Sequence, residues 1–275
     1  MPIHGYLGGV ITANPVAPTS TVATGVWTTE QRLQAVSQGN WPGYEYPIAN
    51  SLRFNSADSA YLNRTPSSTT NRRTYTISAW VKRGILGTNQ YVISAFNAST
   101  NECAIRFNSN DTLEVEQYTS PSYNYQLVTT QVFRDSSAWY HIVVAVDTTQ
   151  ATSSNRIKLY VNGTQVTVFS TASYPSLNYD TNFNLTSYTN QIGAWNTSNF
   201  YNGYLTEVNF IDGQALTPSD FGLTNPQTGQ WIPKKYKGTY GTNGFYLNFK
   251  DATSTTTLGY DYSGNANNWT TINLS

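Results

Sequence analysis

Charge is what this sequence has least of. Only 11% of its 275 residues are Asp, Glu, Lys or Arg, against about 25% in an ordinary soluble domain. The 15 basic and 15 acidic residues cancel, so the chain lacks the basic footprint of a nucleic-acid binder. It also lacks the Lys/Arg cluster that would draw it to an anionic membrane. A single cysteine, Cys103, excludes an internal disulfide, and one cysteine with two histidines, His4 and His141, excludes a cysteine-based metal centre. The longest apolar run, IVVAV at 142–146, is far too short to span a bilayer. The first residues, MPIHGYLGGVITANP, carry no basic n-region and their apolar stretch is broken by glycines. No secretory signal is read there.

Asn, Ser, Thr, Gly and 21 tyrosines fill the place of the missing charge. Thr and Tyr suit a pleated sheet, and Asn and Gly make its turns. A chain of this length buries roughly three quarters of its unfolded surface, so its core needs no covalent staples. The stretch RIKLYVNGTQV, 156–166, is a complete hairpin in outline. Ile157, Leu159 and Val161 alternate with Arg156, Lys158 and Tyr160, and Asn162-Gly163 supplies the two positive-φ residues of a type I′ turn.

Similar signals recur from about residue 49 onward. TYTISAWVKR, QYVISAFN, CAIRFNS, TLEVEQY, NQIGAW, GYLTEVNFID and GFYLNFKD read as strands. WYHIVVAVD is apolar on both faces, as a central strand between two layers would be. About twelve strands at roughly ten-residue spacing indicate an all-β protein, an antiparallel β-sandwich of the jelly-roll type spanning 49–275. LTPSDFGL is one helical interruption, with Thr217 as cap, Pro218 in the first turn and Asp220 closing the box. Residues 1–48 differ: an extended Gly/Pro/Thr-rich arm with one short helix in WTTEQRLQAVSQG. Thr28 and Gln31 fit a capping box and Gly39 the stop. Such an arm cannot bury a core alone and is expected to dock, through Trp27, Leu33, Val36 and Trp41.

SAWVKR (78–83), WYHIVVAVD (139–147), KLYVNGTQV (158–166), IGAW (192–195) and GYLTEVNFIDGQALTPSDF (203–221) stand in order and at suitable spacing. Together they resemble the laminin-G/concanavalin A-like lectin and glucanase superfamily. The resemblance covers roughly 50–222 and implies a lectin-like sandwich. GVWTTEQRLQAVSQGNWP near the start, with WIPKKYKGTYGTNGFYLNFKD and GYDYSGNANNWT near the end, resembles structural proteins of tailed phages. That second resemblance implies a virion component, either a tail fibre or spike or a capsid decoration. It implies assembly in the host cytoplasm and release by lysis, with neighbouring virion proteins as partners through the arm. A homo-oligomer, with a trimer as the common fibre arrangement, host polysaccharide as ligand, and neither nucleic acid nor membrane insertion complete this expectation.

Four groups of residues bear on chemistry. Glu114 and Glu116 in LEVEQY share a strand face at about 7 Å, while retaining glycosidases set their two carboxyls about 5–5.5 Å apart. Glucanases of the superfamily carry E-x-D-x-E or a near variant, and here the intervening Asp and the final acid are missing. The expectation is therefore a binding protein rather than an enzyme, with a glucanase-like depolymerase as the alternative and a free lectin behind it. Calcium is the one cofactor entertained. Its candidate ligands are Glu207, Asp212, Asp261 and Asn265, because DYSGNANNW places oxygens at alternating positions. The family's usual Asp is replaced by Thr206, and an Asx-rich loop bonding its own backbone is the plainer account. His141 and Cys103 read as packed residues of their strands. Finally, Tyr118, Tyr123, Tyr125, Trp195 and Tyr201 fall in or beside loop-like segments. An aromatic ring meets the C–H face of a sugar while nearby amides meet its hydroxyls, and these five are the candidate glycan contacts.

Overall fold

The computed structural model describes residues 18–19, 27–38, 46, 48–98, 100–225 and 228–274, apart from the side chains of 32, 36 and 98. The chain divides into two units, Met1–Pro47 and Ile48–Ser275. In the first, a helix α1 spans Thr29–Ser37. Thr28 N donates to Gln31 Oε1 at 2.9 Å and Gln31 N donates to Thr28 Oγ1 at 3.2 Å, the reciprocal bonds of a capping box. Leu33 is 63% exposed on this helix. The Val36 side chain and all of Trp41, named above as anchors, lie outside the described residues. No helix among the described residues is long and apolar enough to cross a membrane.

The described residues of the second unit form seventeen strands, and their pairings are antiparallel throughout. One sheet takes β1 (Leu52–Phe54), β3 (Thr74–Arg83), β8 (Tyr140–Asp147), β9 (Ile157–Val161), β10 (Thr164–Gln165), β13 (Gly203–Asp212) and β16 (Phe245–Leu247). Its order is β1-β13-β3-β8-β9-β10, with β16 pairing β13. The other takes β2 (Tyr61–Arg64), β4 (Gln90–Ala98), β5 (Asn101–Phe107), β6 (Thr112–Thr119), β7 (Ser122–Val132), β11 (Phe169–Ser173), β12 (Thr189–Ile192) and β17 (Thr270–Ile272), in the order β11-β7-β6-β5-β4-β12-β2-β17. A ribbon of β14 (Gly222–Thr224) and β15 (Trp231–Pro233) completes the set.

The two large sheets share one core. Ile77, Ala79 and Val81 of β3 and Ile142, Val144 and Val146 of β8 join Ile105, Phe107, Val115, Leu127 and Ile192 of the other sheet. Each such buried side chain contributes roughly 1.5–3 kcal/mol. Cys103 is packed among them, and burial pushes its thiol up, away from the reactive thiolate. The hairpin forms as its sequence requires: Ile157, Leu159 and Val161 face inward, and Asn162 and Gly163 turn at φ of 49° and 80°.

β8 is buried on its second face too. Val143 packs with Ile211, Phe221 and Tyr236 in a small outer core. Beside it His141 lies between two indoles, stacked on Trp80 with centroids 4.8 Å apart and on Trp231 at 6.0 Å. Trp231 Nε1 is 2.9 Å from His141 Nδ1, and Ser78 Oγ is 2.9 Å from Nε2. An indole N–H only donates, so Nδ1 accepts and Nε2 carries the ring proton, which it gives to Ser78. In this tautomer His141 cannot act as base toward Ser78. It instead ties the β14–β15 ribbon to the main sheet.

Burial holds the His141 pKa down, to about 3 against a usual 6.5. The unfolded chain takes up the proton first, so stability is complete above pH 6.5 and is lost as pH falls toward 3, by up to about 5 kcal/mol. His141→Gln keeps an acceptor and a donor but does not titrate. Urea midpoints measured from pH 7 to 3.5 are expected to fall less steeply in this variant than in the wild type. Parallel profiles would remove His141 from the acid response.

Candidate functional site

The face of the eight-stranded sheet turned away from the core is polar. Cross-strand register aligns Thr270, Asn63, Gln191, Ser94, Ala104, Glu116, Gln126 and Ser173 in one row that crosses all eight strands. A flanking row places Tyr91 opposite Arg106 and Arg106 opposite Glu114. The other flanking row runs through Thr189, Phe96, Glu102, Tyr118 and Tyr123. The small Ser94 and Ala104 leave room for Tyr91 to lie across the middle row. Its hydroxyl contacts Glu102 Oε1 at 3.4 Å. Its ring has Trp195 stacked at 5.7 Å and the Arg106 guanidinium at 5.5 Å.

Arg106 also organises the carboxylates. Its Nε is 2.6 Å from Glu116 Oε1, and its Nη2 is 3.0 Å from Glu114 Oε2 and 3.4 Å from Glu116 Oε2. Its Nη1 donates to Asn108 Oδ1. Gln126 Nε2 donates to Glu114 Oε1 at 2.6 Å. Burial pushes Glu116 up to about 8 and Glu102 up to about 7, with Arg106 opposing both shifts. Glu102 is 9% exposed and its Oε2 has no hydrogen-bond partner; Trp195 Nε1 is buried without one as well.

Glu114 and Glu116 do share a face, as their spacing requires. Both are buried and bound to Arg106 and Gln126, so neither is presented to a substrate as a nucleophile or acid. Tyr118 and Tyr123 meet edge to face at 5.1 Å at the end of the β6–β7 hairpin, with Tyr123 42% exposed. Tyr125 is a correction. Register shifts where Gln117 opposes Tyr125 but Tyr118 opposes Tyr123, a bulge that sends Tyr125 into the core at 1% exposure. Tyr201 is a second correction. It is buried, with its hydroxyl donating to Lys82 O at 2.8 Å, so the loop that looked open in sequence is folded inward. Neither ring can meet a sugar. Tyr91, Glu102 and Arg106 were not singled out from sequence. Alternation of Glu102, Ala104 and Arg106 along ECAIRF puts all three on the non-core face and was the available signal.

The calcium candidates do not converge. Asp212 accepts from Asn71, Asn184 and the Asn243 backbone N–H. Asp261 accepts from the backbone of Tyr246, Ser263 and Asn267 and from the Ser263 hydroxyl. Asn265 donates to Gly241 O and Gly244 O, and Glu207 accepts from the Tyr246 hydroxyl. Among the described residues no three His, Cys, Asp or Glu side chains gather as metal ligands. Asp261 instead bonds its own loop and Tyr246, and Asn265 ties that loop to Gly241 and Gly244.

A family model described as the concanavalin A-like lectin/glucanases superfamily matches residues 54–220. No curated protein matches the sequence. Among solved structures, domain 4 of an extracellular arabinanase from Geobacillus stearothermophilus, in complex with arabinotriose, is 20% identical, with a TM-score of 0.40. The match covers 55% of this chain and 65% of that one, so this chain spans somewhat under two thirds of its length. A native heptameric SAP-like pentraxin from Limulus polyphemus is 16% identical over 62% of this chain and 80% of that one, with a TM-score of 0.44. The enzymatically active domain of tailspike protein 2 from bacteriophage CBA120 is 11% identical over 62% and 26%, with a TM-score of 0.43.

Arg106→Met keeps the length of the side chain and removes the charge that Glu114 and Glu116 share. Leaving buried carboxylates uncompensated costs about 3 kcal/mol or more. The loss is expected to be greater at pH 9 than at pH 5, where Glu116, raised by burial to about 8, holds its proton. Urea unfolding of variant and wild type at both values checks this, and a pH-independent difference would show that packing alone is lost.

Proposed function

We propose that this chain, which belongs to the concanavalin A-like lectin/glucanases superfamily, is a glycan-binding structural component of a tailed-phage virion. One observation carries the binding half: on the outer side of the eight-stranded sheet, Tyr118, Tyr123, Gln126 and Trp195 stand partly exposed beside a polar row whose central members, Gln191, Ser94, Ala104 and Glu116, are buried. Amide and carboxylate groups between aromatic rings are what a sugar needs, since hydroxyls bond the polar atoms and ring C–H faces meet the aromatics. The same sheet holds its carboxylates in an arginine-bound cluster, which favours recognition over hydrolysis.

The virion half rests on sequence. The terminal segments GVWTTEQRLQAVSQGNWP and GYDYSGNANNWT resemble tailed-phage structural proteins. In this reading the arm attaches the sandwich to other virion proteins, and the exposed Leu33 of α1 supports a docking role. The protein is assembled in the host cytoplasm as a homo-oligomer, a trimer if it is a fibre, and its sandwich contacts host polysaccharide. Symmetric copies multiply contacts that are weak singly.

Tyr123 is exposed enough to be replaced without disturbing the core. Tyr123→Ala is expected to weaken binding to host-surface polysaccharide by roughly tenfold, the loss of one aromatic contact of about 1.4 kcal/mol. Equilibrium binding to purified polysaccharide reads this out. Antibody labelling of particles by electron microscopy reads out the other half. Label on tail or head supports the virion role, and unlabelled particles overturn it.

A further inference from the structure

We infer that the outer face of the eight-stranded sheet takes neutral or amino-bearing sugars and rejects acidic ones. This rests on the glycan-binding reading above and adds the ligand class. An acidic sugar needs a cation to receive its carboxylate, usually an arginine offering two parallel N–H groups. Among the described residues of the three rows, Arg106 is the one cation. Its Nε and Nη2 are taken by Glu116 and Glu114, and its Nη1 by Asn108. No donor pair is left over.

The atoms that do lack partners point the same way. Glu102 Oε2, Gln191 Oε1 and Asn63 Oδ1 are buried acceptors without a donor. Gln191 and Asn63 are cross-strand neighbours in the middle row. Among the fully buried atoms of this face that lack a partner, the one donor is the Trp195 indole N–H. A buried polar atom left unmatched costs roughly 1–3 kcal/mol, so a ligand gains by supplying what is missing. What is missing is chiefly donors. Hydroxyls and ammonium groups donate, whereas an ionised carboxylate only accepts. A uronate or other acidic sugar would add acceptors where acceptors are already in excess. It would also enter beside three carboxyl side chains served by one guanidinium, where screening by salt is weak.

The test compares three soluble polymers on the full chain: a neutral glucan, a partly deacetylated chitosan and a polygalacturonate. Wild type, Tyr123→Ala and Glu102→Gln are each titrated while tryptophan fluorescence is followed. The neutral or amino polymer is expected to bind at least about tenfold tighter than the polyuronate. At pH 7.5, where Glu102 is largely ionised, Glu102→Gln is expected to weaken the amino polymer by roughly tenfold while leaving the neutral one nearly unchanged. Tyr123→Ala should weaken both. Far-UV circular dichroism confirms that each variant is folded. Tight polyuronate binding that is lost in Tyr123→Ala would overturn the ligand class and leave the carbohydrate reading standing. Binding of any polymer that is untouched by Tyr123→Ala would place recognition elsewhere and overturn the inference. No binding by any of the three would overturn both.

Discussion

Arg106 is held by Tyr91 on one side and by Glu114 and Glu116 on the other, and the whole outer face of the eight-stranded sheet depends on that placement. A sheet packed by one face onto a core needs no charge on the other. Three carboxyl side chains there would repel one another and resist burial. One guanidinium, planar and always protonated, gives two of them a common partner. With that neutralisation, Tyr91 can cross the small Ser94 and Ala104 and bring Trp195 down onto the strands. Without it, the aromatics would have no ordered floor.

The seven-stranded sheet meets a similar problem with a neutral group. His141 is enclosed by Trp80 and Trp231, and its two ring nitrogens are used once each, one accepting from Trp231 and one donating to Ser78. The two faces thus respond to pH in opposite senses. Burying a neutral histidine costs stability as pH falls below 6.5, whereas burying protonated Glu116 and Glu102 costs stability as pH rises from 4.5 toward their raised values. Between pH 4.5 and 6.5 the two responses therefore oppose each other.

Much of this was legible in the sequence, for reasons that differ by element. Long strands with one buried face, such as β9 with Ile157, Leu159 and Val161, announce themselves by period-two alternation. The turn at Asn162-Gly163 follows from the two residue types that tolerate positive φ. The described residues form seventeen strands against about twelve expected: β14, β15 and β17 are three residues each, too short to show a period, and β7, though eleven residues long, is exposed at both ends and polar over much of its length. The site was half legible. Tyr118 and Tyr123 were found because they flank a hairpin end, but Tyr125 was misplaced, since a bulge opposite Tyr118 reverses the face and leaves no mark in composition. Tyr201 was misplaced because its loop turns inward to reach Lys82. Arg106 escaped notice because a charged residue in a strand reads as solvent-facing until register brings Glu114 and Glu116 beside it.

That register also bears on why a fold shared with glucanases carries no exposed acid pair on this strand. A retaining glycosidase needs two carboxyls with different tasks, one ionised to attack and one protonated to release the leaving group. The environments must push their affinities for protons apart while leaving both open to the sugar. Here Arg106 bridges Glu114 and Glu116, and both are buried, so neither lies open to a sugar. The carboxyl left outside the bridge is Glu102, whose Oε1 accepts from the Tyr91 hydroxyl while its Oε2 has no partner. Charge on this strand has been turned from reactivity to shape: it fixes where Tyr91 lies, and Trp195 stacks on that ring.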